Sequence, residues 1–314
     1  MNKTGLSIMD NTAVFYTANM GSIPVGQAII FFLVMLFALP AFAKKKAEPM
    51  PPAKAVLVFN RASNTITEEL NIHEPMPIAS ITKLMTVYVV LESKEDLNEK
   101  LVVIPQQIEG SRTLRKGMVI TRQELITLSL IASDNLAAKL LAVNYHAGYN
   151  SFIRQMNDTA VKLGMTNTNY IESSGLLKNT STAWDLHLLN QALLKYPVFR
   201  DAAMSKTAVA DAQNKKGIWQ RLMIRNTNAF AGEYDIKVGK TGFTNPAGWC
   251  IDMRIQYKAQ DFDIIVLGSP DKKTRNKLVE SKLKEHMNFI TTHAIVNTIE
   301  DFDNFTLNSG LRSQ

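Results

Sequence analysis

The sequence is short of the residues on which several kinds of chemistry depend. A single cysteine, Cys250, stands in 314 residues, so the chain forms no internal disulfide and cysteine usage points to no redox compartment. Its position also excludes a lipidated cysteine near residue 44. Cys250 lies in an apolar strand pattern, where a thiol packs as a small hydrophobe. The five histidines, His73, His146, His187, His286 and His293, fall in no H-E-x-x-H or H-x-H spacing, so no metal site is expected and each reads as structural or exposed. No Walker-type or G-x-G-x-x-G loop is present, which leaves no place for a nucleotide; no cofactor is expected. Internal repeats and low-complexity tracts are missing as well.

What is present is ordinary globular composition, 46% apolar and 20% charged, enough for one large domain or two small ones. The formal charge of +7 suits anionic surroundings such as a wall polymer or a membrane surface. No nucleic-acid module accompanies it, so no nucleic-acid partner is expected. An unbroken apolar run from Ala28 to Phe37 continues through Pro40 to Ala41-Phe42-Ala43, an A-x-A pattern followed by Lys44-Lys45-Lys46. This reads as a secretory signal over residues 1–43. Its leader is unusual, with only Lys3 basic before the apolar core, so two alternatives stand: a start at Met20, or retention of the segment as an N-terminal anchor, the one case in which membrane contact is expected. Either puts the rest of the chain outside the cytoplasm, and a periplasmic location is expected.

A Pro-rich charged linker, 44–54, precedes a strand at Ala55–Phe59, a polar turn at Asn60–Asn64 and a second strand. Ser80–Ser93 is a strongly apolar helix, expected at the centre of the domain. Thr121 and Glu124 form a capping box for a helix running to Ala132, and another helix starts near Asn135. Helices follow at Tyr149–Leu163 and, with Thr182 and Asp185 at capping-box spacing, at Ala183–Lys195. Strands resume at Ile218–Arg225, Ile236–Phe243, Trp249–Tyr257 and Asp261–Leu267, with Asn245-Pro246-Ala247-Gly248 as a hairpin turn. Asp271–Thr292 is a long amphipathic helix. The order predicts an α+β domain over 55–296, one antiparallel sheet flanked by helices with a helical subdomain. A polar tail fills 297–314.

Three short strings carry the chemistry: Ser80-Ile81-Thr82-Lys83, Ser133-Asp134-Asn135 and Lys240-Thr241-Gly242. Singly they are weak, since Ser269-Pro270-Asp271-Lys272, Ser281-Lys282-Leu283-Lys284 and Lys3-Thr4-Gly5 repeat two of the patterns. Context separates them. The first duplicate flanks a proline in a turn, the second lies in a charged helical run and the third precedes the leader, all of them places for solvated charge. Ser-x-Asn occurs once.

On the start of a helix, Ser80 and Lys83 share a face, so the amine reaches the hydroxyl. Apolar neighbours lower a lysine's pKa by disfavouring its charged form, which makes Lys83 a candidate general base and Ser80 a candidate nucleophile. Ser133 is placed to relay a proton to a leaving amine, and Asn135 to bind a peptide backbone through its amide. Asp134 between them points away and is structural. Lys240 and Thr241 on a strand suit a carboxylate, and Gly242 lets a substrate backbone approach that strand as an added edge. The backbone N–H groups of Ser80 and Phe243 are the candidate oxyanion pair.

With these strings in place, together with Pro77-Ile78-Ala79 before Ser80, Met156-Asn157, Leu163-Gly164-Met165, Gly175-Leu176, Ser181-Thr182-Ala183 and Phe243-Thr244-Asn245, the chain resembles the low-molecular-weight penicillin-binding D-alanyl-D-alanine carboxypeptidases and the related short D,D-endopeptidases. The resemblance runs from Ala55 to Asn288. It implies the penicillin-binding and β-lactamase-like transpeptidase fold. It also implies an acyl-enzyme on Ser80, with Lys83 as base, Ser133 as relay, Asn135 as substrate-binding amide and Lys240 as carboxylate-binding cation. The implied partners are peptidoglycan peptides ending in or cross-linked through D-Ala, and β-lactam inhibitors. Longer members carry a second, β-rich domain that the residues after Leu267 do not supply, so the endopeptidase branch is the nearer likeness. Two rivals are weaker. A β-lactamase of the same superfamily needs a Glu-x-x-Leu-Asn after Ser133, and Glu172 is followed by Ser173, Ser174, Gly175 and Leu176 instead. A non-catalytic wall-binding module has no reason to keep every one of these positions.

Overall fold

A computed structural model describes residues 51–104, 111–257 and 260–286; the expected secretory segment, most of the linker and the tail lie outside these. Within them the chain builds an α+β fold around two antiparallel sheets. The first has five strands in the order β2-β1-β11-β10-β9. β1 (Ala55–Asn60) is buried on both faces, as its unbroken apolar run demands. β2 (Thr65–Leu70) is mostly exposed and carries Thr65, Thr67, Glu68 and Glu69 on the outer edge, which discourages pairing with another chain. The turn between them is closed by Asn60, whose Oδ1 accepts from the N–H groups of Ala62 and Ser63 at 2.9 and 3.2 Å. Packing begins slightly before the expected domain start: Ala53 is buried and the Lys54 N–H donates to Leu267 O at 2.9 Å.

β9 (Asp235–Thr244), β10 (Gly248–Tyr257) and β11 (Gln260–Ser269) complete this sheet. β9 is its other edge. Alternate residues feed two apolar layers. Leu57, Ile265 and Leu267 face the helical block, whereas Val56, Val58, Ile264 and Val266 pack with Val279 and Leu283 of the helix beginning at residue 272. Asp271 caps that helix, accepting from Thr274 N at 2.8 Å.

The expected strand at 218–225 forms, as β8 (Trp219–Arg225), but not in this sheet. It closes a second one, ordered β4-β5-β7-β8, with β4 (Lys100–Val102), β5 (Val119–Thr121) and β7 (Thr207–Gln213). β4 and β5 are three residues long, and β7 reads Thr-Ala-Val-Ala-Asp-Ala-Gln, in which only Thr207 and Val209 favour a strand. That is why the sequence pattern did not reveal this sheet. A two-stranded ribbon pairs β3 (Met76–Pro77) with β6 (Thr180–Ser181).

The helices follow the capping signals. α1 (Thr82–Glu92) is buried from Thr82 through Val90, the pattern of a helix enclosed on all sides. α2 (Arg122–Leu130) starts at Thr121, whose side chain accepts from Glu124 N, and α3 (Asn135–Val143) at Asp134, which accepts from Ala137 N. α4 (Tyr149–Lys162) and α5 (Ala183–Leu193) follow, the latter capped by Thr182 through Asp185 N. α6 (Pro197–Met204) takes Pro197 in its first turn, and α7 is the helix described from 272 to 286. No helix among the described residues is long and apolar enough to cross a membrane.

One ion-pair group ties α5 to the main sheet. Buried Asp263 accepts from Arg254 Nε and Nη2 at 2.7 and 2.8 Å and meets His187 Nδ1 at 2.6 Å. Burial alone raises the Asp263 carboxyl, but the hydrogen bonds from His187 and Arg254 outweigh it and hold the pKa below the usual carboxylate range. Removing one partner strands a buried guanidinium. Asp263→Ala is therefore expected to cost about 3–5 kcal/mol; thermal unfolding followed by circular dichroism measures it, and an unchanged midpoint would show that the group contributes nothing.

Candidate active site

The site begins with a distortion. Ser80 does not open α1 as the sequence pattern suggested; it sits in a 3-10 turn, Ala79–Ile81, just before it. Ala79 has φ +47, a left-handed backbone that a non-glycine residue adopts only when its surroundings enforce it. The enforcement comes from two sides. A Cβ on Gly175 would stand 1.9 Å from Ala79 O and 2.8 Å from Ser80 N, and one on Gly242 would stand 2.9 Å from Ile78 O and 3.0 Å from Ser80 N. Two glycines therefore let β9 and the 172–179 segment clamp the turn. What lies against Gly242 is the turn that carries Ser80.

Lys83 is wholly buried. Its amine donates to Ser80 Oγ at 2.8 Å, Asn135 Oδ1 at 2.7 Å and Ser174 O at 2.5 Å. Desolvation lowers its pKa to about 7, against an upward pull from Glu172 and Asp134. The expected proximity of Ser80 and Lys83 is thus realised, and Asn135 joins them. The Asn135 oxygen is occupied by Lys83, so its amide nitrogen remains to donate.

The second hydroxyl enters from the α2–α3 junction. Ser133 has φ +57, which turns its side chain toward the first cluster, while Asp134 turns away to cap α3 and accept from Ser111. Lys240, also buried, donates to Ser133 Oγ and to Thr241 O, both at 2.8 Å. Its pKa is pushed well down by desolvation, with Lys83 and Arg275 adding repulsion. Thr241 Oγ1 donates to Thr227 Oγ1 at 2.7 Å. Phe243 is half exposed and stacks on Trp249 with ring centres 4.4 Å apart.

A groove of about 300 Å³ opens over these residues, lined by Ser80, Ser133, Thr241, Gly242 and Phe243. All eight residues named from the sequence lie in the hydrogen-bonded cluster or along this groove. The amine of Lys240 is directed at Ser133 rather than into open space. The cations lining the groove are Lys272 and Arg275 on α7. The sequence reading set Lys272 aside as solvated charge and did not single out Arg275; their i,i+3 spacing at the start of a helix was the available signal. Arg275 is buried, donates to Cys250 O at 3.1 Å and lies 6.0 Å from the Trp249 ring centre.

Also missed was the wall behind Lys83. Glu172 accepts from Ser174 N at 2.7 Å, Ser174 Oγ at 2.6 Å and Asn179 Nδ2 at 2.9 Å. Asn179 Nδ2 further reaches Thr82 Oγ1 at 3.0 Å, and Thr86 Oγ1 donates to Ser173 O at 2.6 Å. These bonds fix Ser174 O where Lys83 needs it. The two duplicate Ser-x-x-Lys strings build no such cluster: Ser269 is buried at the end of β11, and the Ser281 hydroxyl donates to Leu278 O at 2.7 Å.

Comparison with known proteins agrees with this geometry. The D-alanyl-D-alanine carboxypeptidase family model matches residues 42–271. A D-alanyl-D-alanine endopeptidase of Pseudomonas aeruginosa is 37% identical over 227 residues, 70% of this chain and 72% of that protein. The D-alanyl-D-alanine endopeptidase of Escherichia coli K12 is 32% identical over 267 residues, 80% of this chain and 85% of that one. Penicillin-binding protein D2 of Listeria monocytogenes, solved with cefotaxime bound, superposes with a TM-score of 0.65 at 26% identity, over 75% of this chain and 97% of that one. With a serine, a buried lysine and a cationic edge strand assembled as such an enzyme requires, the chain belongs to the D-alanyl-D-alanine carboxypeptidase family of serine peptidases.

Proposed function

We propose that the protein is a periplasmic D,D-endopeptidase that cuts peptidoglycan cross-links through an acyl-enzyme on Ser80. The observation that carries the reading is the Lys83 amine, buried, 2.8 Å from Ser80 Oγ and with a pKa of about 7. As an ammonium it spends three protons on Ser80, Asn135 and Ser174. As a neutral amine it keeps two for Asn135 Oδ1 and Ser174 O, and the lone pair falls on the Ser80 hydroxyl. The loss of one proton converts a donor to Ser80 into its base.

The substrate's D-Ala residue lies along the free edge of β9 as an added strand, with the Asn135 amide donating to its backbone. Lys83 takes the Ser80 proton as Oγ bonds to the carbonyl carbon, and the N–H groups of Ser80 and Phe243 hold the oxyanion. The C–N bond breaks while Ser133 passes a proton to the leaving amine, its hydroxyl oriented by Lys240. Water then attacks the ester, with Lys83 again as base, and frees Ser80. The leaving group's carboxylate is received by Thr241 and Arg275, with Lys272 at the rim.

A secretory segment at 1–43 and a linker at 44–54 support export, and the endopeptidase names of the relatives support the bond cut. β-Lactams, which mimic the D-Ala-D-Ala amide, are expected to acylate Ser80.

Four outcomes follow from this reading. Fluorescent penicillin labels the wild-type protein covalently and Ser80→Ala not at all; a labelled Ser80→Ala would remove Ser80 from its role. The second-order acylation rate climbs as pH passes upward through about 7, because Lys83 gains its lone pair there; stopped-flow acylation gives the profile, and a rate flat from pH 6 to 8 would be incompatible with Lys83 as base. Gly175→Ala displaces the Ser80 turn and slows acylation by roughly 100-fold, while digestion of purified muropeptides by the wild type turns dimers into monomers rather than only trimming terminal D-Ala.

A further inference from the structure

A second cleft leaves the Ser80 groove past Ser133 and Asn135, and its outer residues have no role in the mechanism above. It measures about 540 Å³ and shares Ser133 and Thr227 with the groove, so the two are arms of one channel. One wall is the segment 111–113 and the other is the end of β8, the outer strand of the second sheet. Arg112 and Arg225 stand on opposite walls, both exposed. Neither guanidinium has an ion-pair or side-chain hydrogen-bond partner among the described residues. The carboxylate that also lines the cleft, Asp134, does not supply one: its oxygens accept from Ala137 N–H at 2.9 Å and from the Ser111 hydroxyl. Met223, 72% exposed, offers an apolar surface beside Arg225.

We infer that this cleft binds the carboxylates of the second peptide stem of a cross-linked substrate, the inference resting on the endopeptidase reading. Two forked guanidiniums facing an open channel suit planar carboxylates carried on an extended chain, and Met223 suits the alkyl stretch of a side chain between them. When only a terminal D-Ala leaves, its carboxylate is served by Thr241 and Arg275. A cross-linked one brings a further stem with its own carboxylates, which must leave the groove somewhere. The arm through Ser133 and Thr227 is the one whose walls carry unpaired cations.

The test compares the full chain with the double variant Arg112→Gln/Arg225→Gln on purified muropeptide dimers, on monomers ending in D-Ala-D-Ala and on penicillin. The variant is expected to raise KM for dimers about tenfold, to leave kcat and the monomer KM little changed, and to take penicillin at the wild-type rate. Dimers amidated only at second-stem carboxylates away from the scissile bond, so that the one received by Thr241 and Arg275 is kept, should cost the wild type the same factor, a readout that stands even if the variant folds poorly. A wild type that cuts dimers while variant and amidation leave KM unaltered overturns this inference alone. An equal rise for monomers also overturns it, since the cleft then holds the acyl-donor stem. A wild type that leaves dimers whole overturns the endopeptidase reading and this inference with it.

Discussion

The rest of the site depends on one constraint, the burial of the Lys83 amine. A lysine removed from water must lose its proton or be given acceptors in place of the solvent, and here the surroundings do part of each. Three acceptors come from the 3-10 turn, the start of α3 and the 172–179 segment, so three distant parts of the chain are held at one nitrogen. The resulting pKa of about 7 is a balance: desolvation pulls it down, while Glu172 and Asp134 pull it back. Neither acid touches the amine in the hydrogen-bond network. Glu172 spends its oxygens on Ser174, Gly175 and Asn179, and Asp134 on Ser111 and the N-terminus of α3. Each carboxylate therefore fixes a backbone segment and sets the field on Lys83 at a distance.

The same packing explains the strained backbone. Ala79 and Ser133 both lie at positive φ, one beside the proposed nucleophile and one at the proposed proton relay. Each such residue costs on the order of 1–3 kcal/mol, supported by close contacts around it. Gly175 and Gly242 press on the Ser80 turn from opposite sides with no room for a Cβ. Capping of α3 by Asp134 fixes the residue that follows Ser133. The strain aims two hydroxyls at two buried amines.

Much of this was legible in the sequence because the signals were local. Thr121, Asp134 and Thr182 cap the helices that their spacing announced, and the apolar run of β1 is buried on both faces. The three strings met because each sat on an element readable by itself. What the sequence concealed depends on long-range geometry. Ser174 contributes a carbonyl, which every residue has, so nothing in its side chain announced the contact with Lys83. β7 is too small and polar to read as a strand, and without it β8 was assigned to the wrong sheet. Lys272 and Arg275 belong to a helix whose apolar residues face the main sheet; only the three-dimensional placement of its first turn brings their charges to the groove.

Burial also separates the cations by task. Lys83 stands close enough to Lys240 to lower that lysine's affinity for its proton, and both are enclosed. Their proposed service is to move and orient protons, for which a depressed pKa is an asset. Arginine is poorly suited to that and well suited to recognition, since it stays charged and offers a fixed fork. The arginines that line the channel stand where substrate carboxylates would arrive: Arg275 beside Trp249 at one end, Arg112 and Arg225 at the other. A channel open at both ends, with fixed cations on either side of a protonatable centre, is a shape that admits a peptide joined to another peptide. On the proposed endopeptidase reading, the second pair of arginines serves the second peptide. The choice between the two bonds therefore rests with the ends of the channel, and the three strings at its middle serve either.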